Sequence, residues 1–358
     1  MSRPDDQTHL GTWPPRPVKL ASYAGARFGD IREMCSPTVS RSEQIAYVAL
    51  YSKGSCVFDV DAYGDPASEH EARRAAFRNA GCHVVAQMKA YDGALAELDT
   101  GELMRTVLEE KRLVIFCGRV RRDQHLVGIM VKARRDLGAE ACARAVDTAD
   151  REFFSLVTAI RQAYHLPDEM AGGRTGSGQK AVTGRSHAHL SQGGEATGRE
   201  NELCRQAATL LAPDDLHYLA LYRDWRLLFA ADILDASSLA LFADVEPEER
   251  RRMYDRQARA ARHETLRLAH KLRPVMGRRF DRIVLDMQQG ALYYHWPTPE
   301  HLVFGVTLWQ RAVNDAEWRL REVVDTVRRG SPPVVTVRCR WPAWRRRTRG
   351  RPGCPAPR

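Results

Sequence analysis

The sequence predicts an α+β protein of two tandem halves, each a five-stranded antiparallel sheet with helices packed on it. Three observations carry this. First, residues 171–200 hold eight Gly and many Ser, Thr and Gln, with only Val182 and Leu190 as sizeable apolar groups. Such a stretch buries too little to offset its ordering entropy and reads as a flexible linker, 171–199, between segments 41–170 and 200–330. Second, the two segments share an ordered set of matches. Tyr47–Asp61 and Tyr218–Asp232 are identical at six of fifteen ungapped positions, Phe58/Phe229 and Asp61/Asp232 among them. His125-Leu126-Val127 then answers His301-Leu302-Val303, and Val146-Asp147-Thr148 answers Val324-Asp325-Thr326. Third, each segment reads β-β-α-β-β-β-α.

In order along the chain, residues 1–40 are Pro-rich (Trp13-Pro14-Pro15, Pro17) and read as an arm with little regular structure. Runs 45–51 and 56–60 form a hairpin, as do 216–222 and 226–233, because only short turns separate them. A helical region at 68–98 follows in the first half, with Gly81 and Gly93 expected to break or kink it. Its counterpart runs from Pro247, a favoured first-turn residue, to Arg273, where Pro274 stops it. On that helix Tyr254, Ala258, Ala261, Thr265, Leu268 and Leu272 make one narrow apolar seam. Three strands come next in each half: 104–108, 112–120 and 125–132, against 280–286, 290–296 and 301–308. A final helix closes each. Ala143, Val146, Phe153, Val157 and Ile160 stripe the first, and Ala316, Leu320, Val323, Val324 and Val327 the second. Asn314 with Glu317 has capping-box spacing at the start of the second. A further helix, 200–211, precedes the second half.

A length of 358 residues fits two domains, with 44% apolar and 28% charged residues excluding wholesale disorder. No run approaches the ~18 continuous apolar residues of a membrane span. The polar N-terminus shows no apolar signal region, and the eight scattered Cys form no Cys-x-x-Cys, so a cytoplasmic protein with reduced thiols is expected. The net charge of +10 is concentrated in residues 331–358, which hold eight Arg and no acid. Subtracting those eight charges leaves +2 on the other 330 residues, so the body is nearly balanced.

The stretch from Phe280 to Val327 resembles the roadblock family of dynein light-chain-type domains. Ile283-Val284-Leu285, Ala291-Leu292-Tyr293-Tyr294 and Leu302–Leu308, followed by a helix opening at Asn314, give the family's closing succession of three strands and an amphipathic helix. The first half looks like a more divergent copy. Two departures are the Arg-rich character of helix 247–273 and the two prolines of Trp296-Pro297-Thr298-Pro299. The resemblance implies two profilin-like domains that pair through sheet edges and the long central helix. It also implies a regulatory or scaffold role towards a small Ras-like GTPase, and it places the seam of Tyr254, Ala258, Ala261, Leu268 and Leu272 at a domain or chain contact. Self-association is a second expectation of the same kind.

No residue set stands out as catalytic, cofactor-binding or metal-ligating. Gly173–Lys180 has the wrong spacing for a phosphate loop, and no Ser or Thr follows Lys180. His187-x-His189 lacks partners at metal-ligand spacing. Cys82-His83 are adjacent on a helix, about 100° apart, so a structural reading is preferred over a nucleophile and base. Asp61 and Asp232 end hairpin strands, where Asp is common. The tail interleaves Trp341 and Trp344 with Arg345, Arg346, Arg347 and Arg349, which suits an anionic membrane or nucleic acid, or else a solvated end. The favoured reading is a non-catalytic scaffold. A nucleic-acid-binding protein using the tail, and an enzyme with a site between the halves, are the alternatives.

Overall fold

Alternate residues within each strand serve two different cores. In the computed structural model, which describes residues 19–22, 28–42, 44–62, 68–132, 138–167, 187–194, 196–242 and 244–330, Tyr47, Ala49 and Tyr51 enter one apolar cluster while Val48 and Leu50 enter the other. Both faces of the sheet are therefore covered, which explains why the strands read as near-continuous apolar runs.

The first half contains β1 (Lys19–Ser22), α1 (Gly29–Arg41), β2 (Ile45–Ser52), β3 (Ser55–Asp61), α2 (Ser68–Leu95), β4 (Leu103–Glu109), β5 (Leu113–Arg121), β6 (Gln124–Val131) and α3 (Ala139–Ala163). The second contains β7 (His189–Gln192), α4 (Gly198–Ala208), β8 (Tyr218–Arg223), β9 (Arg226–Asp232), α5 (Pro247–Leu272), β10 (Arg282–Met287), β11 (Ala291–His295), β12 (His301–Thr307) and α6 (Val313–Gly330). Helices α2 and α5 lie on one face; α1, α3, α4 and α6 cover the other.

The expectation of a five-stranded sheet in each half is corrected. The twelve described strands form one sheet in the order β1-β3-β2-β6-β5-β4-β10-β11-β12-β8-β9-β7, with every neighbouring pair antiparallel. Each half supplies six strands, its order is the reverse of the other's, and β4 meets β10 at the centre. The sixth strand comes from regions read as irregular. The expected arm contributes β1 and α1, and the expected linker contributes β7, which pairs with β9.

Two further expectations are corrected. Helix α2 runs without interruption through Gly81 and Gly93. At Gly81 the missing side chain makes room for the Tyr51 phenol, whose hydroxyl donates to the Arg78 carbonyl at 2.9 Å. Asn314 is not a cap: a 3₁₀ turn, Gln310–Ala312, leads directly into α6 at Val313. A capping box does form, but at α4, where the Thr197 side chain accepts from the Glu200 amide and the Thr197 amide donates to Glu200.

The register of the ladders also revises the internal matches. Tyr47 faces Asp61 and Ile129, and Tyr218 faces Asp232 and Val306, so the two opening hairpins correspond as aligned. The same ladders set Tyr51 opposite His125 but Tyr222 opposite Leu302. His301 therefore corresponds to Gln124, and the His125/His301 match is one residue out. In the closing helices Phe153 fills the space over Gly128, as Leu320 does over Gly305. That places Val146 opposite Val313 in the comparison, not Val324. The eleven-residue error is about three helical turns, which keeps the same face and so preserved the apolar pattern.

Candidate interaction surface

The junction of the halves is built from charge. In the β4–β10 ladder Arg105 stands opposite Asp286, and Arg282 opposite Glu109. Each guanidinium crosses the junction, Arg105 to Asp286 at 3.1 Å and Arg282 to Glu109 at 2.7 Å. Each also holds an acid on the closing helix of its own half, Arg105 with Asp150 of α3 and Arg282 with Glu317 of α6. The two arginines thus make reciprocal sets of contacts. All four acids and both arginines are buried or nearly so. Burial alone would raise the Glu317 carboxyl, but Arg282 and Arg321 outweigh it and hold the group well below the usual range. Glu109 is lowered on the same balance, burial opposed by Arg282 and Lys132. A buried pair of this kind specifies register: sliding β10 by one residue would leave charges unpaired in the core.

Above the junction, α3 and α6 flank a recess of about 350 Å³ lined by Asp147, Arg151, Asn314, Trp318 and Arg321. Arg321 bridges Glu317 at 2.9 Å and Asp147 of the other half at 3.2 Å, and its guanidinium sits 4.5 Å over the half-exposed Trp318 ring. On the opposite face α5 meets the end of α2. The Arg250 side chain donates to the Leu98 carbonyl at 3.2 Å, Gln257 to the Ala94 carbonyl at 3.0 Å, and Arg256 pairs with Glu97 at 3.2 Å.

Tyr254, Ala258, Ala261, Leu268 and Leu272 are all buried. Tyr254 packs on Tyr218 and Phe304, at ring separations of 5.1 and 6.3 Å, so this part of the seam covers the second half's own strands. The polar contacts to the first half leave from Arg250, Arg256 and Gln257. The tail residues Trp341, Trp344, Arg345, Arg346, Arg347 and Arg349 lie outside the described residues, as does Gly173–Lys180. His189 sits at the start of β7, 3.4 Å from Asp232. Burial raises the Cys82 thiol, which does not suit a thiolate nucleophile.

Asp61 and Asp232 carry more than a hairpin end. Both are buried and accept from an arginine on the following helix, Asp61 from Arg74 and Asp232 from Arg251 at 2.9 Å. Among the described residues no group of three His, Cys, Asp or Glu is placed to hold a metal ion. No described helix is long and apolar enough to cross a membrane.

No protein-family model matches the chain, and no curated protein matches it in sequence. Among solved structures it is similar to a Roadblock/LC7 domain from Streptomyces avermitilis, at 18% identity and a TM-score of 0.26, over 36% of this chain and 93% of that one. It is also similar to MglB in a tetrameric arrangement, at 13% identity and a TM-score of 0.28, over 39% of this chain and 96% of that one. At these scores neither likeness bears on what the chain does.

Proposed function

We propose that the chain is a non-catalytic scaffold in which two roadblock-like domains, 41–170 and 200–330, pair within one molecule and present a joint surface to a protein partner. The observation that carries this reading is the reciprocal junction: Arg105 with Asp286, Arg282 with Glu109, in one continuous ladder. Edges that would otherwise pair between chains are used up inside this one. The strands β1 and β7 extend each domain beyond the five that the sequence pattern suggests.

The partner class, a small Ras-like GTPase, follows from the roadblock resemblance. The rest of the seam on α5, Ala258, Ala261, Leu268 and Leu272, would then lie at or beside the contact between the paired halves. Calorimetric titration of the full chain with Ras-like GTPases from its own genome, loaded with GDP or a non-hydrolysable GTP analogue, tests this. One GTPase per chain, with a preference for one nucleotide state, is expected; no binding in either state by any of them overturns the partner assignment. The Arg-rich tail would add attraction to a polyanion, and removing residues 338–358 should abolish retention on anionic vesicles or RNA with the melting point unchanged.

A further inference from the structure

The second half carries a recess lined by residues whose described counterparts in the first half differ in kind. It lies between the C-terminal part of α5, the β8–β9 turn, the segment before β10 and the loop between β11 and β12, with a volume of about 230 Å³. Trp225, Trp296 and Phe280 wall it, and Leu266 stands beside them 61% exposed. Its charged lining is Arg262, Arg278 and Arg279, with no carboxylate. All three arginines are exposed, and none pairs with an acid among the described residues. Earlier on α5 the pattern is different: Arg251, Arg252, Arg256 and Arg259 each hold a carboxylate.

The backbone gives a second, independent sign. The β8–β9 turn places Asp224 and Trp225 at φ of 50° and 68°; the corresponding turn in the first half places Lys53 and Gly54 at 53° and 85°. Two positive φ values are what a two-residue hairpin of this twist demands, and Gly meets the second without strain. A bulky Trp does not, so Trp225 is an outlier that the surrounding packing has to hold. Among the described residues, the counterpart positions of the first half are lined differently. Val85, which corresponds to Arg262, is buried; Lys89, which corresponds to Leu266, pairs with Asp123 at 3.8 Å; and Arg119, which corresponds to Trp296, is buried and pairs with Glu102 at 2.8 Å.

We propose that this recess docks a short acidic peptide segment of a partner protein, whose carboxylates pair with Arg262, Arg278 and Arg279 while one bulky apolar side chain lies against Trp225, Trp296 and Leu266. Three unpaired cations around an apolar wall supply the charge complementarity. A single-stranded nucleic acid fits less well, because it needs free ring faces for its bases. Trp296 is already stacked on Tyr294, at 6.3 Å and 13°, and Leu266 offers an aliphatic surface in a space of side-chain size. The docking site stands whether or not the partner of the paired domains is a GTPase.

Fluorescence anisotropy with the full chain tests it. The probes are labelled nine-residue peptides of Asp and Glu with a single central Leu or Trp, matched peptides with central Ala, and a twelve-nucleotide oligo(dT). The Leu and Trp peptides should bind at least about tenfold tighter than the Ala peptide. The double variant Arg262→Glu/Arg279→Glu should lose that binding by a similar factor, and so should Trp225→Gly. Because Gly suits the turn, Trp225→Gly should melt within a few degrees of the parent; the arginine variant, changed only at exposed positions, keeps the test decisive if it does not. Affinity that ignores the central residue, or that survives both variants, would move acidic-peptide binding away from the recess and overturn the proposal. So would oligo(dT) binding that tracks the variants while the peptides fail to bind.

Discussion

Arg105 and Arg282 are each surrounded by two acids in the sheet's centre, so neither can be removed without stranding charge. Arg282→Met would leave Glu317 and Glu109 buried with reduced compensation, and breaking a buried pair in this way costs about 3–5 kcal/mol. Urea unfolding should show that loss; a change below about 1 kcal/mol, the range of an exposed pair, would mean that the junction is wetter than the packing shows. A second residue-scale effect is pH. Burial pushes His217 down to about 4, and its bonds fix the neutral ring: Nδ1 accepts from the Leu308 amide at 3.0 Å while Nε2 donates to the Pro213 carbonyl at 3.1 Å. Burial, Lys89 and Arg119 push His125 down to about 4 as well. The unfolded imidazole takes its proton near 6.5, so stability is complete above that pH and falls towards 4, by up to about 3 kcal/mol for each ring. Unfolding between pH 7 and 5 should show this fall, and His217→Asn, which keeps an acceptor for Leu308, should make it shallower. An identical slope in the variant would exclude His217 as a source. None of this was legible in the sequence. Arg105, Arg282 and Glu317 look like any solvated charge in a chain that is 28% charged, and only the ladder register shows that they meet.

At the scale of elements, ten strands and the long helices could be read from apolar runs and turn signals, because strands buried on both faces announce themselves. The pieces that escaped are short or disguised. β1 and β7 have four residues each, β7 is largely exposed, and α1 carries an internal Pro37. Their order comes from pairing with β3 and β9, a tertiary cause with no local signature. The expected break in α2 shows the reverse error. Gly81 looked like a weak point, but its lack of a side chain is what lets Tyr51 lie against the helix. Gly81→Ala should therefore destabilise by about 1–3 kcal/mol through overpacking, although Ala is the better helix former by about 1 kcal/mol. The double variant Gly81→Ala/Tyr51→Leu should recover part of the loss. If Gly81→Ala alone stabilises the protein, propensity outweighs the contact. Ala258 holds the corresponding place on α5, buried, so the second half accommodates the methyl group.

For the whole molecule, the linker composition predicts a division into two five-stranded halves; the structure shows one sheet, continuous through β4 and β10. The repeat is legible because the opening hairpins keep six of fifteen residues, while the residues do not show which edges meet, because edge strands look like any others until they pair. The internal pairing joins the two halves in one continuous sheet and, among the described residues, leaves the four-residue strands β1 and β7 at its edges. Native-state hydrogen exchange on the intact, dilute chain tests it most directly. If β4 and β10 are joined within the molecule, their amides exchange only through global opening, with the same protection as β2 and β8 and no dependence on protein concentration. Exchange of β4 and β10 roughly 100-fold faster than the other strands, or protection that grows with concentration, would show that the halves separate or pair between chains, and would contradict the account.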